Sequence, residues 1–359
     1  MPLSGRPAKP ARHALPLAYG RSTSAPRSQS QNRGQAPMSQ LIVTLRPFSW
    51  DDVPTVVDLI NRSEAVDQVE RGTSVGELRA WWVSNPGDPE QDVFLAFVDG
   101  EAVGFGRVLL REGEGFSQFQ ARGTVAPKWR RRGVGTQILA ECERRAKARL
   151  DEASSITVEF QALADKTQLD VAELFTSFGL SPVRYFFQMV FDAPEMPARP
   201  DYPAGYTARS FVRNQDEETV WRVTNMSFRD HWRHIEDLLE EWLAWCDSDT
   251  FDPTLTYLGL DPNGLPVGVC IGVIYPERNA RLGRAQGVVE DLGVLPEHRQ
   301  QGLGRALLLE GMRALRRRGC THLALSVDSK NLTGALRLYK SVGFRKRRTV
   351  VVFRKLLRE

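Results

Sequence analysis

Val288-Val-Glu-Asp-Leu-Gly-Val-Leu-Pro-Glu-His-Arg-Gln-Gln-Gly-Leu-Gly-Arg305 decides how this chain is read. An apolar, strand-like run enters a turn with Arg299-x-x-Gly302-x-Gly304, and a helical pattern, ALLLEGMRALRRRG, begins at once. Glycine is needed where the backbone takes positive φ or comes close to a ligand. A helix starting directly after such a turn presents unpaired N–H groups and the positive end of its dipole, a natural seat for an anion. Arg299 and Arg305 can add charge-assisted contacts. The turn lacks the Gly-Lys-Ser/Thr of a Walker A loop and is not a full dinucleotide fingerprint. A single Gly-x-Gly would ordinarily serve only the geometry of a strand-to-helix turn. Here the pattern recurs as Arg130-x-x-Gly133-x-Gly135, again between a strand and a helix.

The recurrence extends outward in both directions. Residues 41–62, LIVTLRPFSWDDVPTVVDLINR, match 205–226, GYTARSFVRNQDEETVWRVTNM: a short strand meets Arg-x-Phe (Arg46 and Phe48; Arg209 and Phe211), then an acidic turn, then a helix reaching Asn61 or Asn225. Each copy continues with a tryptophan-bearing helical stretch and a hairpin, DVFLAFV against AVGFGRVLL and LTYLGL against PVGVCIGVI. Their turns contain Asp99-Gly100 and Asn263-Gly264, strong hairpin signals. A long basic helix follows each glycine turn (Gly133 to Leu150; Gly302 to Arg318), then a strand (ITVEFQAL; HLALSVD), a helix and a final apolar strand. Such self-similarity predicts a tandem α/β protein. The proline-rich stretch between the copies is semi-stiff by composition and gives a linker at 196–202 between domains 39–195 and 203–359. Each domain is long enough for its own core.

Composition narrows the function. Apolar residues make up 42% and charged residues 26%, ordinary for a globular protein, and no apolar run reaches the length of a membrane span. The four cysteines are widely spaced, which argues against a disulfide framework or a zinc site and favours a reducing, cytoplasmic setting. Residues 1–38 hold six basic residues and no acid; removing those six charges from the net +4 leaves −2 for the rest. That body has no bias toward nucleic acid. The tail has the composition of a disordered segment. Its Arg- and Ser-rich character suits an organellar transit peptide, and a start at Met38 accounts for it equally well. Basic runs at Arg316–Arg318 and Arg345–Arg348 close a helix and open a strand, without the aromatic platform of a single-strand binder.

At the glycine turn the chain resembles the GNAT acetyltransferase superfamily. Arg299-x-x-Gly302-x-Gly304 looks like its pyrophosphate-binding motif. Asn331-x-x-x-Ala335-x-x-x-Tyr339-x-x-x-Gly343-Phe344 looks like its second signature. The resemblance spans 39–359, once per domain, and the two-domain layout is similar to mycothiol synthase, whose C-terminal domain is catalytic. It implies two tandem domains, each with a mixed, mostly antiparallel central sheet flanked by helices. It also implies acetyl-coenzyme A as acyl donor, with no metal. Carried over, Leu292 and Val294 supply main-chain contacts to the pantetheine arm, and the Val294 N–H polarises the thioester carbonyl. Backbone N–H groups of Gln300, Gln301, Gly302, Leu303, Gly304 and Arg305 cradle the pyrophosphate. Asn331 contacts the pantetheine side, though Asp328-Ser-Lys-Asn331 is also good N-cap chemistry. Tyr339 protonates the leaving thiolate.

Transfer to an amine needs a base, because a typical amine arrives protonated. Glu290 and Asp291 are the acids at hand, and they must face opposite sides of the strand. The run resembles the corresponding strand of spermidine/spermine acetyltransferase, whose glutamate is a proposed base, so Glu290 is the candidate; a solvated strand-end carboxylate is the plainer reading. Mycothiol synthase has its acid two residues earlier, where Val288 stands here, which counts against that enzyme's mechanism. The first domain departs from the pattern: Arg122 replaces Asp291 and Phe175 replaces Tyr339, so it is expected to be non-catalytic. Residues 228–252 hold eight acids, two basic residues and Trp232, Trp242 and Trp245. They suit either an acidic, aromatic wall for a cationic acceptor or an amphipathic helix with a tryptophan stripe in the core. The expected partner is a small-molecule or peptide amine, and the expected assembly a monomer or homodimer. A scaffold in which both turns bind acyl-CoA and neither reacts is the competing reading.

Overall fold

The structure, a computed structural model, describes residues 41–359 apart from 69–71, 85–86, 199–200 and 332. The basic segment 1–38 therefore lies outside the described residues, as do two positions of the 196–202 linker. The first copy runs β1 (Thr44–Pro47), α1 (Val53–Asp67), α2 (Val75–Ser84), α3 (Pro89–Asp92), β2 (Val93–Val98), β3 (Glu101–Gly113), β4 (Phe116–Val125), α4 (Val134–Ala148), β5 (Val158–Asp165), α5 (Leu169–Ser177) and β6 (Ser181–Phe191). The second runs β7 (Thr207–Ser210), α6 (Glu217–Phe228), α7 (Leu239–Cys246), β8 (Thr256–Leu260), β9 (Pro266–Ile274), α8 (Pro276–Leu282), β10 (Gln286–Val294), α9 (Leu303–Arg317), β11 (His322–Asp328), α10 (Ala335–Ser341) and β12 (Arg345–Arg358).

The repeated residues do the same physical work twice. Arg46 forks onto Asp52 at 2.7 and 2.9 Å, and Arg209 onto Asp216 at 2.5 and 2.7 Å, tying the first strand of each copy to its helix. Phe48 and Phe211, two residues on, are buried. Asn61 trades two hydrogen bonds with the Thr73 backbone and Asn225 two with the Asp237 backbone, latching the chain beyond each helix. Asp99 and Gly100 both take positive φ (48° and 78°), as the tight β2–β3 hairpin requires.

The sheets of the two copies are not separate. All twelve strands form one sheet in the order β1-β2-β3-β4-β5-β12-β6-β11-β10-β9-β8-β7. Only β4–β5 and β10–β11 pair in parallel; every other neighbouring pair is antiparallel. The closing strands are exchanged: β6 of the first copy pairs with β11 of the second, and β12 pairs with β5 of the first. They meet each other antiparallel at the centre. Their side chains follow them, Met189 and Phe191 entering the core of the second copy and Val351 and Phe353 that of the first. At the seam the fully buried Glu159 accepts from Arg233 and, at 2.7 Å, from Arg354, so one carboxylate of the first copy holds two arginines of the second.

Candidate functional site

Strand β10 pairs with β11 only from Gln286 to Val288, yet continues to Val294, so the sheet opens into a gap. On its other edge β10 stays paired with β9 as far as Val294 opposite Gly268. The bond from Leu295 N–H to the Val267 carbonyl, 2.9 Å, fixes the phase of that ladder. Alternation then leaves Leu292 and Val294 as the residues whose N–H and C=O point away from β9, into the gap. These are the two expected to meet the pantetheine arm.

The ladder slips at Glu290. Val289 faces Gly272 and Asp291 faces Ile271, so Glu290 is an extra residue, a β-bulge. A Cβ on Gly287 would strike Leu315 of α9, whereas one on Gly293 would strike Ser227 and Phe228 of α6. Residues six apart in an unbroken strand share a face, and these do not. The expectation that Glu290 and Asp291 lie on opposite faces is therefore corrected: the bulge turns both carboxylates toward the α6–α7 side.

Two like charges side by side in dense protein are hard to ionise. The Asp291 carboxyl is pushed up to about 7, first by burial and then by Glu290 and Asp237. Glu290 is raised as well, by burial, with Arg278 pulling the other way. Its side chain is nonetheless exposed to solvent, which screens that shift. His234, whose Nε2 is buried without a partner among the described residues, is held neutral by burial against the pull of Asp237. The sequence passed over Asp291 because nothing in Val-Val-Glu-Asp announces a bulge.

At the turn, Gln300 and Gly302 take positive φ (60° and 101°), and α9 begins at Leu303. The N–H groups of Gln300, Gln301 and Gly302 have no partner among the described residues, and those of Leu303 and Gly304 belong to the unpaired first turn of the helix. This concave run of donors suits a pyrophosphate. Arg305 is exposed, and its guanidinium has no partner among the described residues, so it is available to the same anion. Arg299, expected beside it, is spent inside the protein. It donates to the Val294 carbonyl (2.9 Å), the Ser227 carbonyl (2.9 Å) and both oxygens of Asp230 (2.6 and 3.2 Å). Four donations leave little of a five-donor group for a ligand. Its place is to brace the end of β10 against α6.

Tyr339 is buried on α10, edge-on to Phe344 at 6.1 Å, and its hydroxyl has no hydrogen-bond partner among the described residues. Burial, above all, holds it protonated, with Asp291 nearby acting in the same direction. Asn331 spends its side-chain oxygen on the Thr333 N–H and hydroxyl (2.8 and 2.5 Å) and weakly on the Ala335 N–H (3.4 Å), which is the capping reading. Its amide nitrogen has no partner among the described residues, which leaves a donor for a ligand.

The first copy repeats the scaffold with different side chains at the corresponding positions. β4 leaves β5 after Ala121, and Arg130 reaches the Val125 carbonyl, Ser63 and Asp67 as Arg299 reaches its counterparts. Arg131 and Gly133 take positive φ (59° and 86°), and a cavity of about 600 Å³ lies in this gap. The β3–β4 ladder runs without a bulge. Phe175 lines the cavity where Tyr339 stands in the second copy, and Arg122 replaces Asp291.

Residues 228–252 divide between the two expectations. Trp242 is buried and, with Trp245 and Phe251, forms an aromatic cluster in the core. Most of the acids are matched: Asp230 by Arg299, Asp247 by Arg213, Asp252 by Arg318, and Asp237 and Glu241 by Arg111 of the first copy. Among the described residues this leaves Glu236, Glu240 and Asp249 of the stretch without an ion pair. Among the described residues no group of His, Cys, Asp or Glu could hold a metal ion, and no helix is long and apolar enough to cross a membrane.

Comparison with known proteins agrees with this geometry. Residues 218–344 match the acetyltransferase (GNAT) family and residues 89–179 an acetyltransferase (GNAT) domain. The mycothiol acetyltransferase of Saccharomonospora viridis is 32% identical over 251 residues, covering 68% of this chain and 76% of the relative. That of Geodermatophilus obscurus is 29% identical, covering 84% and 94%. A GCN5-related N-acetyltransferase from Sphaerobacter thermophilus superposes with a TM-score of 0.71 at 28% identity, over 88% of this chain and 96% of that one. A tandem GNAT protein from the clavulanic acid biosynthesis pathway shares the fold, with a TM-score of 0.65 at 16% identity, over 88% and 98%. Two glycine turns at the mouths of two opened sheets, and these relatives along most of the chain, lead to one conclusion: the protein belongs to the GNAT acetyltransferase family, in its tandem form, and is an N-acetyltransferase.

Proposed function

We propose that the second copy carries the reaction, moving an acetyl group from acetyl-coenzyme A to a primary amine by direct attack. The observation that carries this reading is that the second copy alone joins the glycine turn to a carboxylate pair and a tyrosine hydroxyl. The turn N–H groups and Arg305 hold the pyrophosphate, and Leu292 and Val294 meet the pantetheine along the open edge of β10. Asp291, with Glu290 beside it, takes the proton from the acceptor ammonium, freeing the lone pair. The amine nitrogen bonds to the thioester carbon while the Val294 N–H steadies the charge on its oxygen. The carbon–sulfur bond then breaks, and the Tyr339 hydroxyl donates to the departing thiolate. Glu290, first expected as the sole base, becomes the partner whose charge keeps Asp291 near neutrality. The first copy keeps its turn and cavity as an acyl-CoA seat without turnover. A scaffold in which neither copy reacts does not fit an N-acetyltransferase.

The names of the relatives favour one acceptor to try first, the substrate of a mycothiol acetyltransferase; Val288, where that enzyme's acid would be expected, stands against the same mechanism. The test uses the full chain. Tyr339→Phe should lose turnover, and the Phe175→Tyr, Tyr339→Phe double variant should not regain it. A double variant as active as the wild type would move the reaction to the first copy.

A further inference from the structure

The cavity of the first copy, about 600 Å³, has a volume that ligand pockets commonly use. Besides the glycine turn and the edge of β4, it is lined by Ala121, Ile138, Leu139, Cys142 and Ala162. Each of these is no more than 5% exposed, so the cavity reaches into the core. Ala121 and Ala162 are the last residues at which β4 and β5 pair, and they stand at the apex of the gap. Strand rise puts Ala121 about 13 Å from Val125, which lies at the mouth where the turn begins. A coenzyme A with its pyrophosphate on the turn and its arm along β4 runs from mouth to apex. Its acyl group therefore ends against Ala121 and Ala162.

The second copy fills the same place with side chains. Val125 and Val294 correspond, each carbonyl accepting from its motif arginine. Counting back along the two ladders sets Gly123 against Leu292 and Ala121 against Val289. Ala162 corresponds to Leu325, because each lies three residues before an aspartate, Asp165 or Asp328, that pairs with an arginine of an exchanged strand. At all three positions the first copy has glycine or alanine where the second has valine or leucine. Val289 and Leu325 are buried in the second core, and Leu292 packs against it. The one reverse difference, Cys142 against Gly311, is balanced by Gly106, where the second copy has Cys270 with its sulfur in the space beside Gly311. We infer that the two seats differ in acyl length: the first copy binds a coenzyme A thioester with an apolar chain longer than acetyl, and the second takes a short one. This rests on the reading of the first copy as an acyl-CoA seat without turnover. Each methylene moved from water into an apolar apex tightens binding about fourfold.

The test is a calorimetric titration of the full chain with coenzyme A, acetyl-coenzyme A and hexanoyl-coenzyme A. It is repeated in Gly302→Ala, which weakens the second seat so that the first is read by itself. At the first seat hexanoyl-coenzyme A should bind about tenfold or more tightly than acetyl-coenzyme A. Ala162→Leu should abolish that preference while leaving the affinity for coenzyme A within about twofold. Ala121→Val, a smaller change, should reduce the preference, and it serves if the leucine variant does not fold. Leu325→Ala should create a preference for the longer chain at the second seat. Equal binding of the two thioesters at the first seat, or a preference that survives both alanine substitutions there, overturns the proposal. A single coenzyme A site that is weakened by Gly302→Ala would instead remove the reading of the first copy as a seat, and the proposal with it.

Discussion

Replacing Asp291 by Asn should make the protein less active and more stable at once. The carboxyl is raised from 3.8 to about 7, so the folded protein holds this proton far more tightly than the unfolded chain does. The cost of ionising it in the fold is absent below about pH 4 and fully present above about pH 7. At about 1.4 kcal/mol per tenfold change, it reaches up to about 4 kcal/mol. Asp291→Asn removes that cost. Its stability advantage over the wild type should therefore grow from near zero at pH 4 to several degrees of melting temperature at pH 8. In the same pH series, the wild-type kcat/KM should fall about tenfold per pH unit below pH 7. The variant should lose that break and retain about one hundredth of the activity at pH 8, the smaller loss typical of a removed base, since Glu290 remains beside it. Thermal melts and initial rates on one set of buffers test both halves. Parallel melting curves from pH 4 to 8, together with activity within threefold of wild type, would refute the assignment.

Tyr339→Phe should lower kcat about a hundredfold while leaving acetyl-coenzyme A affinity within about twofold, read by stopped assays and calorimetry. Gly302→Ala places a side chain at φ +101°, strain of about 1–2 kcal/mol that distorts the donor run; acetyl-coenzyme A should bind the second copy about tenfold more weakly. Glu159→Gln removes the fully buried charge shared by Arg233 and Arg354. Denaturant unfolding should show a loss of about 3–5 kcal/mol, with coenzyme A affinity unchanged.

What the sequence disclosed was local. Asp99-Gly100 forced a hairpin because both residues must take positive φ, and Gly302 before a helical run forced the turn. The repeat was legible because Arg46 and Arg209, and Asn61 and Asn225, perform the same fastening in each copy. The partner of each final strand was not legible. β6 and β12 are both apolar runs after a short helix, and nothing in either distinguishes its own sheet from its neighbour's. The bulge at Glu290 was hidden for a different reason. It involves no glycine or proline, and it alone decides that two adjacent acids share a face. Arg299 misled because a motif arginine beside a phosphate seat reads as a ligand, whereas Asp230, which claims it, lies 69 residues earlier. The acidic stretch misled likewise, since its counter-ions, Arg111 among them, come from distant parts of the chain.

The exchanged strands make each half of the protein depend on the other for its fold. If the first copy were deleted, β11 would lose the neighbour that covers it, and the second core would lose Met189 and Phe191. If the second were deleted, β5 would stand bare, and the first core would lose Val351 and Phe353. Neither half is an inheritance that can be given up once it falls silent. The mortised sheet makes each copy a condition of the other's existence, whatever chemistry each one carries.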